Sequence, residues 1–317
     1  MLSTAVRAMS TASAPFVKAV EAVAQPTAQT AKAWLQESPS GAYTTARTCR
    51  GKVFEWSAHV QRTADSIGQM APVGDAAALA KDPSLLRRRL DGAAGAVVEA
   101  YRKENAADEL KLTFLVSWDD TGATTVAAHA SPLPPLPPRP VRVETRGAPR
   151  ANAAAKDSAW VSERAPLEAL QAATEVGAVN ELLLAAEGRV LEGAQTNFFA
   201  ILDGTLVTAG DGVLFGTVRR LALEVCARER IPVVLEPPDL KDVAKWEGCL
   251  ISSTSRLLLP VDELYQPAEG APSKAGDLVS AFDNAPGSLA ARLQDLVAAE
   301  VEAHSEVVGG GGAGSCK

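Results

Sequence analysis

Hydrophobic positions in this chain change period as it advances, and each change marks an element. Ala58–Met70 and Pro83–Glu104 carry the helical period, the second with Leu86, Leu90, Ala94, Val97 and Val98 on one stripe. Alternating and continuous apolar runs predict a short strand pair at Gly41–Thr48 and Gly51–Glu55. They also predict a hairpin of Leu110–Trp118 and Thr124–Ala130 around Asp119-Asp120-Thr121-Gly122. Farther on, Glu181–Ala186 and Arg189–Glu192 flank Glu187-Gly188, while Asn197–Leu202 and Leu206–Thr208 flank Asp203-Gly204, a pair that accepts the positive φ of a tight turn. Thr217–Arg230 then returns to helical spacing, with Val218, Leu221, Ala222 and Val225 on one face and Glu224 four residues before Arg228. Val233–Leu235 and Gly248–Ser252 read as further strands, and Asp277–Phe282 and Ser288–Val301 as closing helical segments.

One stretch interrupts this series. Ser131–Pro140 contains six prolines, which impose an extended, poorly hydrogen-bonded backbone. Taking 132–140 as a linker leaves an N-terminal domain at 31–131 and a C-terminal one at 141–305. Helices on one face of a mainly antiparallel sheet make the class α+β rather than doubly wound. The first thirty residues are rich in Ser, Thr and Ala, carry Arg7 and Lys18, and have no acid before Glu21. That is the composition of a chloroplast or mitochondrial transit peptide or of a frayed, disordered terminus; without such an address the protein is cytoplasmic. The glycine-rich end, 306–317, cannot bury anything and is expected to be disordered.

Composition narrows the function classes. A net charge of -7 and a pI near 5.2 give no basic stripe for nucleic acid. No apolar run is long enough for a membrane span, so a soluble protein is expected. Cys49, Cys226, Cys249 and Cys316 lie far apart with no C-x-x-C pair, and His59, His129 and His304 are scattered, so neither a disulfide framework nor a metal centre is indicated.

The candidate chemistry lies in a set of short motifs in fixed order. These are H-x-x-R at His59–Arg62, a lysine in Ala155-Lys156-Asp157-Ser158, and E-G-x-x-x-N-F-F at Glu192–Phe199. L-x-G-x-x-R at Leu214–Arg219 and a Ser/Thr cluster at Ser252–Ser255 before Pro260-Val261 complete it. Gly216-Thr217-Val218 opens a helix, whose first N–H groups lack internal partners and readily face an anion. In this order the motifs resemble the fold-type IV (class IV) pyridoxal-phosphate enzymes: branched-chain and D-amino-acid aminotransferases and aminodeoxychorismate lyases. The likeness spans about Gly41–Leu264 and looks strongest toward a plant and algal branch of the family.

The resemblance implies a D-amino-acid-aminotransferase-like fold, a small N-terminal α/β sandwich with a larger, barrel-like C-terminal domain. It implies pyridoxal 5′-phosphate as cofactor, Lys156 as the amine that forms the Schiff base and moves the substrate's α-proton, and a homodimer. Glu192 is expected against the pyridine nitrogen, where opposite charges at about 4 Å interact by about 4 kcal/mol at an effective dielectric of 20. Asn197 is expected to support it, Arg62, Thr217, Val218, Ser253 and Thr254 to hold the phosphate, and Tyr43 to face the substrate. Each also has a plain structural reading, as a solvated charge, a cap or a turn residue.

The expected reaction moves an amino group between an amino acid and a 2-oxo acid. A lyase of the aminodeoxychorismate type, or a non-catalytic relative acting as a binding module, would keep the same scaffold. The sequence departs from the family where Pro166 should break or restart the helix after Lys156. It departs again at Glu263–Lys274, which has no arginine pair for a substrate carboxylate.

Overall fold

The computed structural model describes residues 15–104 and 109–308. The N-terminal part runs β1 (Phe16–Val20), β2 (Val23–Thr27), α1 (Ala31–Glu37), β3 (Gly41–Cys49), β4 (Lys52–Phe54), α2 (Trp56–Gln69), α3 (Gly74–Lys81), α4 (Pro83–Glu104), β5 (Leu110–Trp118) and β6 (Thr124–Pro132). The C-terminal part follows with β7 (Arg142–Thr145), α5 (Ala159–Glu163), α6 (Ala165–Ala172), β8 (Glu181–Ala186), β9 (Arg189–Gly193), β10 (Asn197–Leu202), β11 (Thr205–Val207), α7 (Thr217–Glu229), β12 (Val233–Val234), β13 (Gly248–Ser253), β14 (Leu257–Pro260), β15 (Glu263–Tyr265), β16 (Leu278–Ala281), α8 (Leu289–Glu300) and β17 (Ser305–Glu306).

The first sheet has the order β17-β4-β3-β5-β6-β1-β2, with every neighbour antiparallel. Its two faces follow from the period-2 alternation of a strand. Leu112, Phe114 and Val116 of β5 meet Trp56, Val60 and Ile67 of α2 and Leu86, Leu90 and Val97 of α4 in one core. The intervening Leu115 joins Tyr43, Trp34, Leu35, Ala127 and Val161 on the opposite face. This sheet is therefore covered on both sides, and its second face turns toward the C-terminal domain.

The second sheet has the path β12-β11-β10-β9-β8-β7-β15-β16, with β13 pairing both β10 and β14. Its strands are mixed, since β7 runs parallel to β8 and β15 and β11 parallel to β12. Phe198 and Ala200 of β10 point into a cluster with Val143, Leu183, Val190, Ile251, Leu259 and Leu264, drawn from strands all along the path. Only a sheet curled on itself brings such strands together, which is the barrel-like domain expected. The alternate residues Phe199 and Ile201 pack under α7 and α8, through Val218, Leu221, Val225, Leu293 and Val297. Phe54 of β4 is buried in this same cluster and ties the two domains.

Several expectations differ from what is found. Asp277–Phe282 is not the helix expected: Asp277 ends a 3-10 turn (Ala275–Asp277) and Leu278–Ala281 is an edge strand beside β15, because the four-residue run is too short to choose a period on its own. Phe16–Val20 and Val23–Thr27, inside the stretch read as leader or disorder, form a hairpin on β6; residues 1–14 lie outside the described set. Glu306 pairs with Val53, so the chain remains ordered beyond 305, while 309–317 lie outside the described residues. Glu224 is held by Arg220 at 2.5 Å, not by Arg228, which reaches Glu300 on α8 at 2.6 Å. Pro166 does restart the helix: α5 ends at Glu163 and α6 begins with the proline in its first turn, where the missing N–H costs nothing.

Candidate active site

A cavity of about 480 Å³ lies between the two sheets, and Tyr43, Arg62, Lys156, Glu192, Asn197, Thr217, Val218, Ser253 and Thr254 all line it. The sequence scatters these nine residues over more than two hundred positions. The fold collects them into one wall from β3, α2 and the Lys156 segment before α5, and another from β9, β10, α7, the end of β13 and the turn after it.

Lys156 is placed by backbone contacts to the first domain. The Tyr43 N–H donates to the Lys156 carbonyl at 2.9 Å, the Ser158 N–H donates to the Gly41 carbonyl at 2.9 Å, and Ala42 bridges Asp157, so the lysine segment adds to the edge of β3. Ser66 of α2 accepts the Lys156 N–H at 3.1 Å. Gly41 is required here, since a Cβ would lie 2.2 Å from the Val116 carbonyl oxygen. The ammonium sits 4.6 Å over the Tyr43 ring, a cation–π distance. Burial, with Arg62, Arg150 and Arg164 nearby, lowers the lysine below its ordinary pKa, against the opposing pull of Tyr43. Burial alone would raise the Tyr43 phenol, but the positive charges of Lys156 and Arg164 bring it down to about 8.

Glu192 closes β9 and is buried. Burial pushes its carboxyl up, and Arg150 opposes that push, with Lys156 also within electrostatic reach. Arg150 donates to Glu192 Oε1 through Nε at 2.9 Å and Nη2 at 2.6 Å, and the Leu214 N–H donates to Oε2 at 3.0 Å. The same guanidinium donates to the Ala153 and Ala155 carbonyls, so one side chain fixes the carboxylate and the turn that carries the lysine. Arg150 was not singled out in the sequence; an isolated arginine after a proline offers no spacing to recognise. Asn197 lies beside Glu192 in register and donates to the Leu214 carbonyl at 2.6 Å, holding the loop that leads into α7.

The α7 end of the cavity has the chemistry of an anion cradle. Gly216 is the N-cap residue, no side chain caps the helix, and a Cβ on it would lie 2.2 Å from Asn197 Oδ1. The N–H groups of that first turn therefore have room for an anion. The Thr217 and Ser252 hydroxyls and Arg62 Nε are buried without partners within the protein, and such orphaned polar groups ask for a ligand. Arg62 is held in place by Thr44 and His59: its Nη2 donates to Thr44 Oγ1 at 2.7 Å and to His59 Nδ1 at 3.2 Å. Because a guanidinium only donates, Nδ1 must accept, and the Thr44 hydroxyl donates to it at 2.8 Å. The imidazole is thus neutral, in keeping with a pKa driven well below its ordinary value by burial and by Arg62. Arg219, the last residue of the L-x-G-x-x-R motif, braces the loop by donating to the Ala209 carbonyl at 2.7 Å.

Besides Arg150, four further cations line the cavity that no motif had indicated: Lys32 on α1, Lys111 on β5, Arg164 at the α5–α6 junction and Arg256 after β13. Pro134, Pro135 and Pro137 of the expected linker also border it.

Comparison with known proteins bears on this arrangement. Residues 41–264 match the model of the family described as amino-transferase class IV. No curated protein matches the chain. Among solved structures, a hypothetical aminotransferase from Mycobacterium tuberculosis in its PLP-bound form is similar at 19% identity, with a TM-score of 0.65, 91% of this chain and 99% of that chain covered. Branched-chain aminotransferase from Thermoproteus uzoniensis with norvaline gives 18% identity and a TM-score of 0.66, over 91% and 95%. An aminotransferase from Brucella abortus bound to the co-factor PLP gives 15% and 0.63, over 90% and 99%. At such identities the structural likeness speaks for the fold.

Proposed function

The chain belongs to the class IV aminotransferases, and on that premise we propose that it transfers an amino group between an amino acid and a 2-oxo acid with pyridoxal 5′-phosphate in the cavity between its sheets. The observation that carries this reading is the convergence of a buried lysine, a buried carboxylate and an uncapped helix start on a single cavity.

The donor set fits that cofactor. Arg62, Thr217, the Val218 N–H, Ser253 and Thr254 would hold the phosphate, and Glu192 the ring nitrogen. When bound, the cofactor supplies an aldehyde for an amine and a ring that withdraws electrons from a substrate's α-carbon. Lys156 Nζ is the amine, and its lowered pKa favours the neutral, nucleophilic form. The same nitrogen, when not bonded to the cofactor, would be placed to take a proton from the substrate's α-carbon and hold it for return. Arg150, paired with Glu192, opposes the upward push of burial on its carboxyl, and a carboxylate held there would favour a protonated ring nitrogen on the bound cofactor. Tyr43 borders the lysine's approach with its ring.

A homodimer accompanies this reading through the family resemblance, and sedimentation tests it. Import into an organelle is supported by the composition of the first residues alone. The enzymatic test is a half-reaction screen. Purified protein mixed with PLP should turn yellow, borohydride should fix the cofactor on the peptide containing Lys156, and a panel of L- and D-amino acids should discharge the colour. A colour that no amino acid discharges, or a label on a different lysine, overturns the reading.

A further inference from the structure

The two helices that bring donors to the anion end of the cavity belong to different domains. Arg62 stands on α2, and α7 supplies the uncapped first turn. A phosphate gripped from both sides needs a fixed distance between those helices. A polar joint between them lies at Glu55, which does not line the cavity.

Glu55 precedes α2 in the left-handed region, at φ 52°, where a residue with a side chain is strained. Its contacts must hold it there. The side chain is buried, at 5% exposure, and does not cap its own helix. Its Oε2 instead accepts from Arg220 Nη2 of α7, and its Oε1 from His304 Nδ1 at 2.7 Å. The Glu55 N–H donates to the His304 carbonyl at 2.7 Å, so one residue is fastened to α7 and to the C-terminal arm together. That arm also caps α2 from a distance. The Ser57 N–H donates to Glu306 Oε1 at 2.8 Å, and the Ser57 hydroxyl to Oε2 at 3.0 Å.

Arg220 sits where α7 closes its first turn, its N–H donating to the Gly216 carbonyl at 3.0 Å. Arg62 lies two turns along α2 from Glu55. Phe54, buried with Val218 and Leu221 of α7, forms the apolar side of the same junction. Glu55 therefore grips one helix at the turn that faces the anion, and begins the helix that carries the arginine.

We propose that Glu55 is a positioning residue for the phosphate: joined to Arg220 and His304, its carboxylate sets the distance between Arg62 and the first turn of α7. The identity of the anion as the PLP phosphate rests on the transaminase reading, whereas the joint between the helices does not. Breaking the joint loosens the phosphate end, while Lys156 keeps its backbone pairing with β3.

That difference supplies the test. Pyridoxal carries the aldehyde and ring of PLP without the phosphate, so absorbance titrations with the two aldehydes report capture with and without the anion. Wild-type protein should prefer PLP. Asparagine tolerates a left-handed backbone but carries no charge, and Glu55→Asn should shrink that preference by about tenfold, the loss of one charge-assisted contact. Pyridoxal affinity should stay as it was. The Arg220 side chain is half exposed, so Arg220→Met breaks the same contact without touching the core. It should give the same loss, and the double variant no more than either. A wild type with no preference, equal losses for both aldehydes, an unchanged preference in Glu55→Asn, or losses that add in the double variant overturn the proposal. A wild type that takes up neither aldehyde ends the transaminase reading, and inorganic phosphate then decides on the joint. It should raise the melting temperature of the wild type and do so less in Glu55→Asn; equal shifts, or none, overturn the role of Glu55.

Discussion

The two walls of the cavity are built on different principles. The wall from the second domain carries its polar groups at strand ends, turns and a helix start: Glu192 closes β9, Asn197 opens β10, Thr217 opens α7 and Ser253 ends β13. Backbone N–H groups and short side chains converge there, and none can move far. The wall from the first domain carries its groups on the flat of a sheet, where Tyr43, Thr45, Lys111 and Thr113 alternate with core residues. Long side chains stand up from that surface, and exchanging one leaves the strand in place. The rigid wall suits a cofactor of fixed shape, and the sheet wall suits a substrate whose identity has to be chosen.

The largest effect that would sharpen this contrast is at the tether. Lys156→Ala should lower transamination by about a thousandfold or more and remove the borohydride-fixed label, while the segment stays in place, since its backbone pairs with β3 and Ser66. On the rigid wall, Glu192→Gln should lower kcat/KM by roughly a hundredfold and cost about 3 kcal/mol of stability by leaving Arg150 buried without its partner. Adding Arg150→Met should return part of that stability and none of the rate; recovery of both would show that the carboxylate serves only structure.

A smaller effect belongs to the sheet wall. In protein stripped of cofactor, the Tyr43 phenol titrates near 8 when folded against 10.0 as its ordinary value. Between pH 8 and 10 the folded chain has released a proton that the unfolded chain still holds. Stability contributed by this group therefore rises with pH across that window, by up to about 3 kcal/mol, and is lost as pH falls from 10 through 8. The burial-lowered Lys156 acts with the same sign. Urea unfolding at several pH values should show this slope and a shallower one in Tyr43→Phe. The smallest effect is Thr217→Val, which should weaken PLP binding by about tenfold through loss of one hydroxyl; an unchanged affinity would make Thr217 a plain helix-start residue.

The rigid wall was largely legible in the sequence and the sheet wall was not. Glu192, Thr217 and Thr254 are announced by glycine turns and a helix start, which constrain neighbouring residues into a recognisable order. Lys111 and Arg164 carry no such signal: a lysine on an alternating strand and an arginine before a helical proline look solvated. The short parallel strand β7 and its partner β15 were missed for a related reason. Their pairing joins segments about 120 residues apart, and runs of four and three residues with polar edges or ends (Arg142–Thr145, Glu263–Tyr265) do not declare a strand alone. The Leu278–Ala281 run was given the wrong period on equally little length. The hairpin at Phe16–Thr27 was hidden by a composition that suggested an address label instead.

The pairing of Ser305 and Glu306 with β4 has a consequence for how the molecule is made. Most of the first sheet leaves the ribosome early, yet its β4 border stays bare until Ser305 and Glu306, about 250 residues later, have been synthesised. Anything that stalls or clips translation after the proline stretch would therefore release a half-finished sheet with a free flank, open to pairing with a stranger.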